Sequence, residues 1–133
     1  MSKIKKDLRE LKGRFDTIIF GSYLEDAMRP SSDIDIGIIT YKSKMNENIE
    51  IQKELLGKFP LIYDIRVFEL FPIDIKIQII KNYEVLFGDI LEISEYFYIF
   101  RKKWDDIKYR ILENQFSSFQ ERLSLMKKYS KSE

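Results

Sequence analysis

An α/β (α+β) domain is the fold class this sequence predicts, with a mixed sheet flanked by helices and a helical segment at its carboxy-terminal end. Three observations predict it: short apolar runs of strand length, apolar residues at three- and four-residue steps between those runs, and Gly or Pro at the joints. Ile4, Leu8 and Leu11 mark an opening amphipathic helix that ends near Gly13. Asp16-Thr17-Ile18-Ile19-Phe20 follows as a strand and stops at Gly21-Ser22, where Tyr23 to Met28 begins a helix with Ser22 as its N-cap. Ser32 to Ile39 sets Asp33, Asp35 and Gly37 between apolar residues and forms a second strand. A polar loop, Thr40 to Lys44, leads to a helix carrying Ile49, Ile51, Leu55 and Leu56 and closed by Gly57. Beyond Pro60, Leu61 to Phe68 reads as the third strand. Pro72 opens a helix with Ile73, Ile77 and Ile80 toward the core, and Glu84 to Phe87 adds a short last strand before Gly88.

From Ile90 onward the pattern changes to a long apolar stripe. Phe97, Phe100, Trp104, Ile107 and Ile111 recur at helical steps, and Leu112, Phe116, Phe119, Leu123 and Met126 continue one position over, giving one or two helices. Such a stripe either packs on its own domain or meets a partner or a second copy of the chain. Its aromatic content favours some contact of the second kind.

Composition removes whole classes of chemistry. The chain has no His and no Cys, so Ser-His-Asp and Cys-His catalysis, thiolate zinc sites and disulfides are excluded. With 44% apolar and 34% charged residues, 133 residues suffice for one domain with a substantial core. No apolar run approaches the length of a membrane span and the first residues lack a signal-peptide core, so a cytoplasmic protein is expected. A formal charge of +1 gives no general attraction to nucleic acid, and Arg101-Lys102-Lys103 and Lys127-Lys128 read as solvated helix faces.

Carboxylate, Lys, Tyr and Ser chemistry remains, and one constellation concentrates it. Asp33 and Asp35 are two apart in a strand and project from one face, where two like charges repel unless a cation lies between them. Hard oxygen ligands select Mg²⁺ or Mn²⁺. Upstream, with ten residues between Ser22 and Asp33, Gly21 permits close approach of a ligand to the backbone, and the Ser22 hydroxyl with the amides of a helix start suits phosphate oxygens. By itself an Asp-x-Asp is more often the solvated face of a half-buried strand; the Gly-Ser pair at this spacing reverses that reading.

Gly21-Ser22, ten residues, then Asp33-Ile34-Asp35, with Tyr23 and Ser32 beside them, resembles the minimal nucleotidyltransferases of the DNA polymerase β superfamily. The resemblance runs through Leu61-Ile62-Tyr63-Asp64-Ile65-Arg66-Val67-Phe68 to Phe87. It implies one nucleotidyltransferase domain over 1–133, with a polymerase-β-like core at about 14–90 and a helical extension at about 91–133. It implies a site in which Asp33, Asp35 and Asp64 are catalytic and hold the metal, Gly21 and Ser22 bind the nucleotide, and ATP is the substrate. Asp64 also has a plainer reading, an ion pair with Arg66 on its own face. Glu69 and Asp74, beside Pro72 where the strand pattern ends, are poorer candidates for the third carboxylate. Arg29, Lys42 and Lys44 lie near the motif halves and either neutralise triphosphate charge or are solvated.

Small proteins resembling this one are paired with a helical HEPN toxin and act as its antitoxin by attaching AMP to a tyrosine. The resemblance therefore implies a HEPN-type partner. Two other readings stay open: an antitoxin that neutralises its partner by binding alone, and a nucleotidyltransferase acting on a small molecule or RNA.

Overall fold

The computed structural model describes residues 2–25 and 33–110. Its elements are helix α1 (Ser2–Asp7), strand β1 (Asp16–Phe20), helix α2 (Ser22–Glu25), strand β2 (Ile34–Ile39), helix α3 (Met45–Leu55), strand β3 (Tyr63–Val67), helix α4 (Ile73–Lys81) and strand β4 (Tyr83–Phe87). Helix α5 runs over 90–110, and single 3₁₀ turns lie at Arg9–Leu11 and Phe68–Leu70. The predicted α+β class is observed. One four-stranded mixed sheet has the order β3-β2-β1-β4, in which β2 and β3 are parallel and the other two pairs antiparallel. A parallel pair needs a crossover, and α3 supplies it between β2 and β3.

Helices cover both faces of this sheet, as its nearly unbroken apolar strands require. On one face Ile19, Ile34, Ile36, Ile38 and Ile65 pack with Ile4, Leu8 and Leu11 of the opening segment and Leu55 of α3. On the other, Ile18 and Ile39 pack with Phe68, Ile79 of α4, and Ile93 and Phe97 of α5. Alternation along β2 assigns Ile36 and Ile38 to the first face and leaves Asp35 on the second.

Several elements differ from the sequence expectation for identifiable reasons. The opening helix breaks at Leu8 into a 3₁₀ turn, which keeps Leu8 and Leu11 both buried before Gly13. In α3 the buried positions are Asn48 and Leu55, while Ile49 is exposed and Leu56 falls outside the helix and is exposed. Asn48 belongs inside because its amide is satisfied: the Thr40 hydroxyl lies 2.5 Å from Oδ1, and Nδ2 donates to the Lys42 carbonyl at 3.0 Å. In α4, Ile77 and Ile79 are the buried pair, with Ile73 and Ile80 partly covered. Pro72 does precede α4, and β4 begins one residue earlier than expected.

Two small devices finish the frame. Asp89 caps α5, its Oδ1 accepting from the backbone N–H groups of Leu91 (2.8 Å) and Glu92 (3.2 Å). Gln52 of α3 closes the outer border of β3: its Nε2 donates to the Ile65 carbonyl at 2.8 Å and its Oε1 accepts from Val67 N–H at 2.7 Å. One side-chain amide thus imitates the next strand of the ladder. Ile93 and Phe97 of the predicted carboxy-terminal stripe are buried on their own sheet, and Phe100, Trp104 and Ile107 are partly covered. Ile111, Leu112, Phe116, Phe119, Leu123 and Met126 lie outside the described residues. Among the described residues no helix is long and apolar enough to cross a membrane.

Candidate active site

The sheet topology brings the acidic residues to one end. Phe20, the last residue of β1, is paired with Asp35 of β2, and Asp35 is paired in parallel register with Asp64 of β3. Adjacent strands lie about 4.8 Å apart, so the two carboxylates start from neighbouring backbone positions on the same face. Asp33 immediately precedes β2 and is exposed, so it is not a strand residue as the alternation suggested.

Gly21 follows Phe20 with φ +79°, in the left-handed region. A Cβ built there would lie 3.2 Å from Asp35 Cγ and nearer still to Oδ2, so the carboxylate rests against the Gly21 backbone in space that any side chain would take. The two halves of the sequence motif are thereby in direct contact. Ser22 is the first residue of α2 rather than its cap; Gly21 takes the position ahead of the helix, its carbonyl accepting from Leu24 N–H at 3.1 Å. Ser22 is exposed, and the first-turn amides of Ser22 and Tyr23 have no intrahelical partner by their position in the helix.

Electrostatics link all three acids. The Asp35 carboxyl is held above its ordinary range, chiefly by burial, then by the neighbouring charge of Asp64; Arg66 opposes this and Asp33 adds to it. Arg66 Nε donates to Asp64 Oδ1 at 3.2 Å, with the two side chains 59% and 39% exposed. The plain ion-pair reading of Asp64 and its place beside Asp35 are therefore both observed. Among the described residues, no three acidic side chains are closed into a finished metal cage. Asp64 is turned to Arg66 and Asp33 stands outside the strand, as mutually repelling carboxylates do. The donors on offer are carboxylate oxygens only, the hard-ligand chemistry that suits Mg²⁺ or Mn²⁺.

Lys42 and Lys44, two of the cations named from sequence, are not at this end. Lys42 lies past the far end of β2, with its Nζ 3.8 Å from Glu47, and Lys44 directly precedes α3. Arg29 lies outside the described residues. Glu69 is committed elsewhere: its carboxylate accepts from the backbone N–H groups of Thr40 (3.1 Å) and Tyr41 (2.9 Å) and from the Tyr96 hydroxyl (2.7 Å). Asp74 is in the first turn of α4. Sequence reasoning missed the floor of the site, where Phe20 meets Phe71 edge to face at 5.9 Å. It also missed a groove of about 330 Å³ beside Asp64, walled by Gln52, Leu56, Arg66, Leu70 and Phe71.

The model of the nucleotidyltransferase domain family matches residues 1–87, the stretch that contains every one of these groups. The chain belongs to the nucleotidyltransferase family. This nucleotidyltransferase is 43% identical over 116 residues to a candidate protein adenylyltransferase of Methanocaldococcus jannaschii, spanning 87% of this chain and 90% of that protein. It is similar in fold to a chain of a toxin–antitoxin complex crystallised with AMP-PNP (TM-score 0.61, 19% identity, 82% of this chain and 90% of that one). It is also similar to a chain of the complex between the tri-AMPylated Shewanella oneidensis HEPN toxin and its MNT antitoxin (TM-score 0.56, 18% identity, 82% and 87%). A chain of a toxin–antitoxin complex named MntA-HepT matches with TM-score 0.55, 17% identity, and 82% and 87% coverage.

Proposed function

We propose that this nucleotidyltransferase moves AMP from ATP to a tyrosine hydroxyl of a helical, HEPN-type toxin and acts as its antitoxin. The observation that carries the reading is the meeting of Gly21, Asp35 and Asp64 at one sheet end in a chain of this family. The name of the Methanocaldococcus jannaschii relative supports a protein acceptor, and the complexes with similar chains support the partner.

In this reading Asp33, Asp35 and Asp64 hold Mg²⁺ or Mn²⁺, Asp64 after leaving Arg66. When bound, the metal supplies neutralisation of phosphate charge. Gly21 and Ser22 receive the β- and γ-phosphates through backbone amides and the Ser22 hydroxyl. The acceptor oxygen forms a bond to the α-phosphorus while the bond to the bridging oxygen breaks; pyrophosphate departs, and Asp64 takes the hydroxyl proton. Residues 14–90 form the catalytic core and 91–133 the helical extension of one domain, working in the cytoplasm where ATP is at hand.

The test is intact-mass spectrometry of the partner encoded beside this chain after incubation with the enzyme, ATP and Mg²⁺. Gain of one or more AMP units, absent with Asp35→Asn, is the expected result. A stable complex with no gain would replace modification by neutralisation through binding.

A further inference from the structure

The opposite end of the sheet carries a cavity that the transfer chemistry does not use. Four steps of β2 separate Asp35 from Ile39, about 13 Å at about 3.3 Å per residue, and Tyr41 lies two residues beyond. There, Tyr41, Lys42, Lys76, Tyr96, Phe100 and Lys103 wall a pocket of about 340 Å³ between the end of β2, α4 and α5. Its cations are held in an unusual way. Lys76 lies partly buried, with its ammonium 4.8 Å from the Phe100 ring centre and 5.8 Å from that of Phe68, and Lys103 sits 5.7 Å from the same Phe100 ring.

Two ammonium groups therefore share one aromatic ring. Among the described residues, neither has a carboxylate within ion-pair distance. The acid that faces them, Glu69, is already engaged by two backbone amides and the Tyr96 hydroxyl. Burial and the charge of Lys103 pull the Lys76 ammonium below its ordinary range, against Glu69, which raises it. This is the positive counterpart of the acidic end: like charges gathered in a partly desolvated cavity, for which a multivalent counter-ion is the natural third party.

The walls give the ligand its class. Lysines act as point charges suited to phosphate, and two of them with no ion-pair partner among the described residues match a dianion. Tyr41, Tyr96 and Phe100 leave flat apolar surface for an organic group, with the Tyr41 and Tyr96 rings 4.6 Å apart. Tyr41 is also held at φ +59°, a left-handed conformation that a bulky residue adopts only when its surroundings impose it. Its backbone N–H is fixed to Glu69 and its hydroxyl to Asp16, so the ring is locked at the mouth of the pocket.

We propose that this pocket is a second binding site for a phosphate monoester or oligophosphate, with Lys76 and Lys103 as its anion-holding groups. A free nucleotide and the phosphorylated end of an RNA strand share that chemistry. Isothermal titration calorimetry without divalent metal distinguishes them, using AMP, pyrophosphate and a short oligoribonucleotide with and without a 5′-phosphate. Binding of AMP or pyrophosphate alone identifies a free small anion; binding only of the 5′-phosphorylated strand identifies RNA. Lys76→Met, which keeps an apolar stem against Phe68 and Phe100, and Lys103→Gln, on the exposed side of α5, should each weaken binding about tenfold or more. Asp35→Asn should leave it unchanged, which separates this site from the transfer site. In ¹³C-labelled protein the Lys76 side-chain resonance should titrate below the ordinary lysine range and shift upward when the ligand is bound. No binding of any probe, binding that survives both lysine substitutions, or a Lys76 titration unmoved at saturation would each overturn the proposal.

Discussion

Replacing Gly21 by Ala tests the central geometry because it introduces one carbon atom where the Asp35 carboxylate now lies. Two effects follow, and they separate. The backbone at φ +79° is unfavourable for an L side chain and costs roughly 1–2 kcal/mol of stability. The new Cβ must also reach ordinary contact with the carboxylate, 3.4 Å or more, and because Cγ already stands at 3.2 Å it is the oxygen of Asp35 that has to swing away, by on the order of 1 Å. A displacement of that size at a reacting group lowers turnover by about a hundredfold. Gly13→Ala is the control: φ is +86°, yet nothing lies within 4 Å of the added carbon. Urea denaturation should show similar losses for both variants, whereas AMP transfer measured by pyrophosphate release should fall only in Gly21→Ala. Equal activity in the two variants, or full activity in Gly21→Ala, would refute the claim that Asp35 is seated on the Gly21 backbone for catalysis.

Asp35→Asn should abolish transfer while leaving the fold intact. Because the folded Asp35 carboxyl titrates above its unfolded value of 3.8, the native state binds more protons in the window above that value, and stability declines as pH rises through it. The Asn variant should lose that slope in pH-dependent melts, and Mg²⁺ should raise the melting temperature of the wild type more than that of the variant. Arg66→Met removes the charge that opposes the rise at Asp35, so the acidic limb of the pH–rate profile should move to higher pH. An unmoved limb would detach Arg66 from the site's electrostatics. Gln52→Ala deletes two hydrogen bonds on the β3 border and should cost about 1–2 kcal/mol in chemical denaturation, with nucleotide affinity retained.

The sheet end was legible in the sequence because its chemistry is local. Gly21, Asp33, Asp35 and the apolar flanks of Asp64 are each visible within a few residues, whereas the place of Asp64 beside Asp35 came from the family resemblance and not from spacing. What the sequence concealed depends on contacts between distant segments. Nothing around Gln52 announces that its amide completes the β3 ladder, and nothing around Asn48 announces that Thr40 and Lys42 satisfy its amide in the interior. For Lys42 the solvated alternative is the one observed: closeness to Asp35 along the chain is not closeness in space when a strand lies between. Asp33 fell outside β2 because alternation cannot fix the residue at which pairing starts.

The parallel partnership of β2 and β3 also has a consequence for synthesis on the ribosome. Asp35 can meet Gly21 as soon as the antiparallel pair β1–β2 forms, but Asp64 reaches Asp35 only after α3 has been made and has folded back across the sheet. Such non-local pairings form late, since the intervening chain must be ordered first. On the proposed mechanism, a nascent or truncated chain that ends before β3 possesses two of the acids and lacks the third, so its competence to use a nucleotide waits until the crossover has closed.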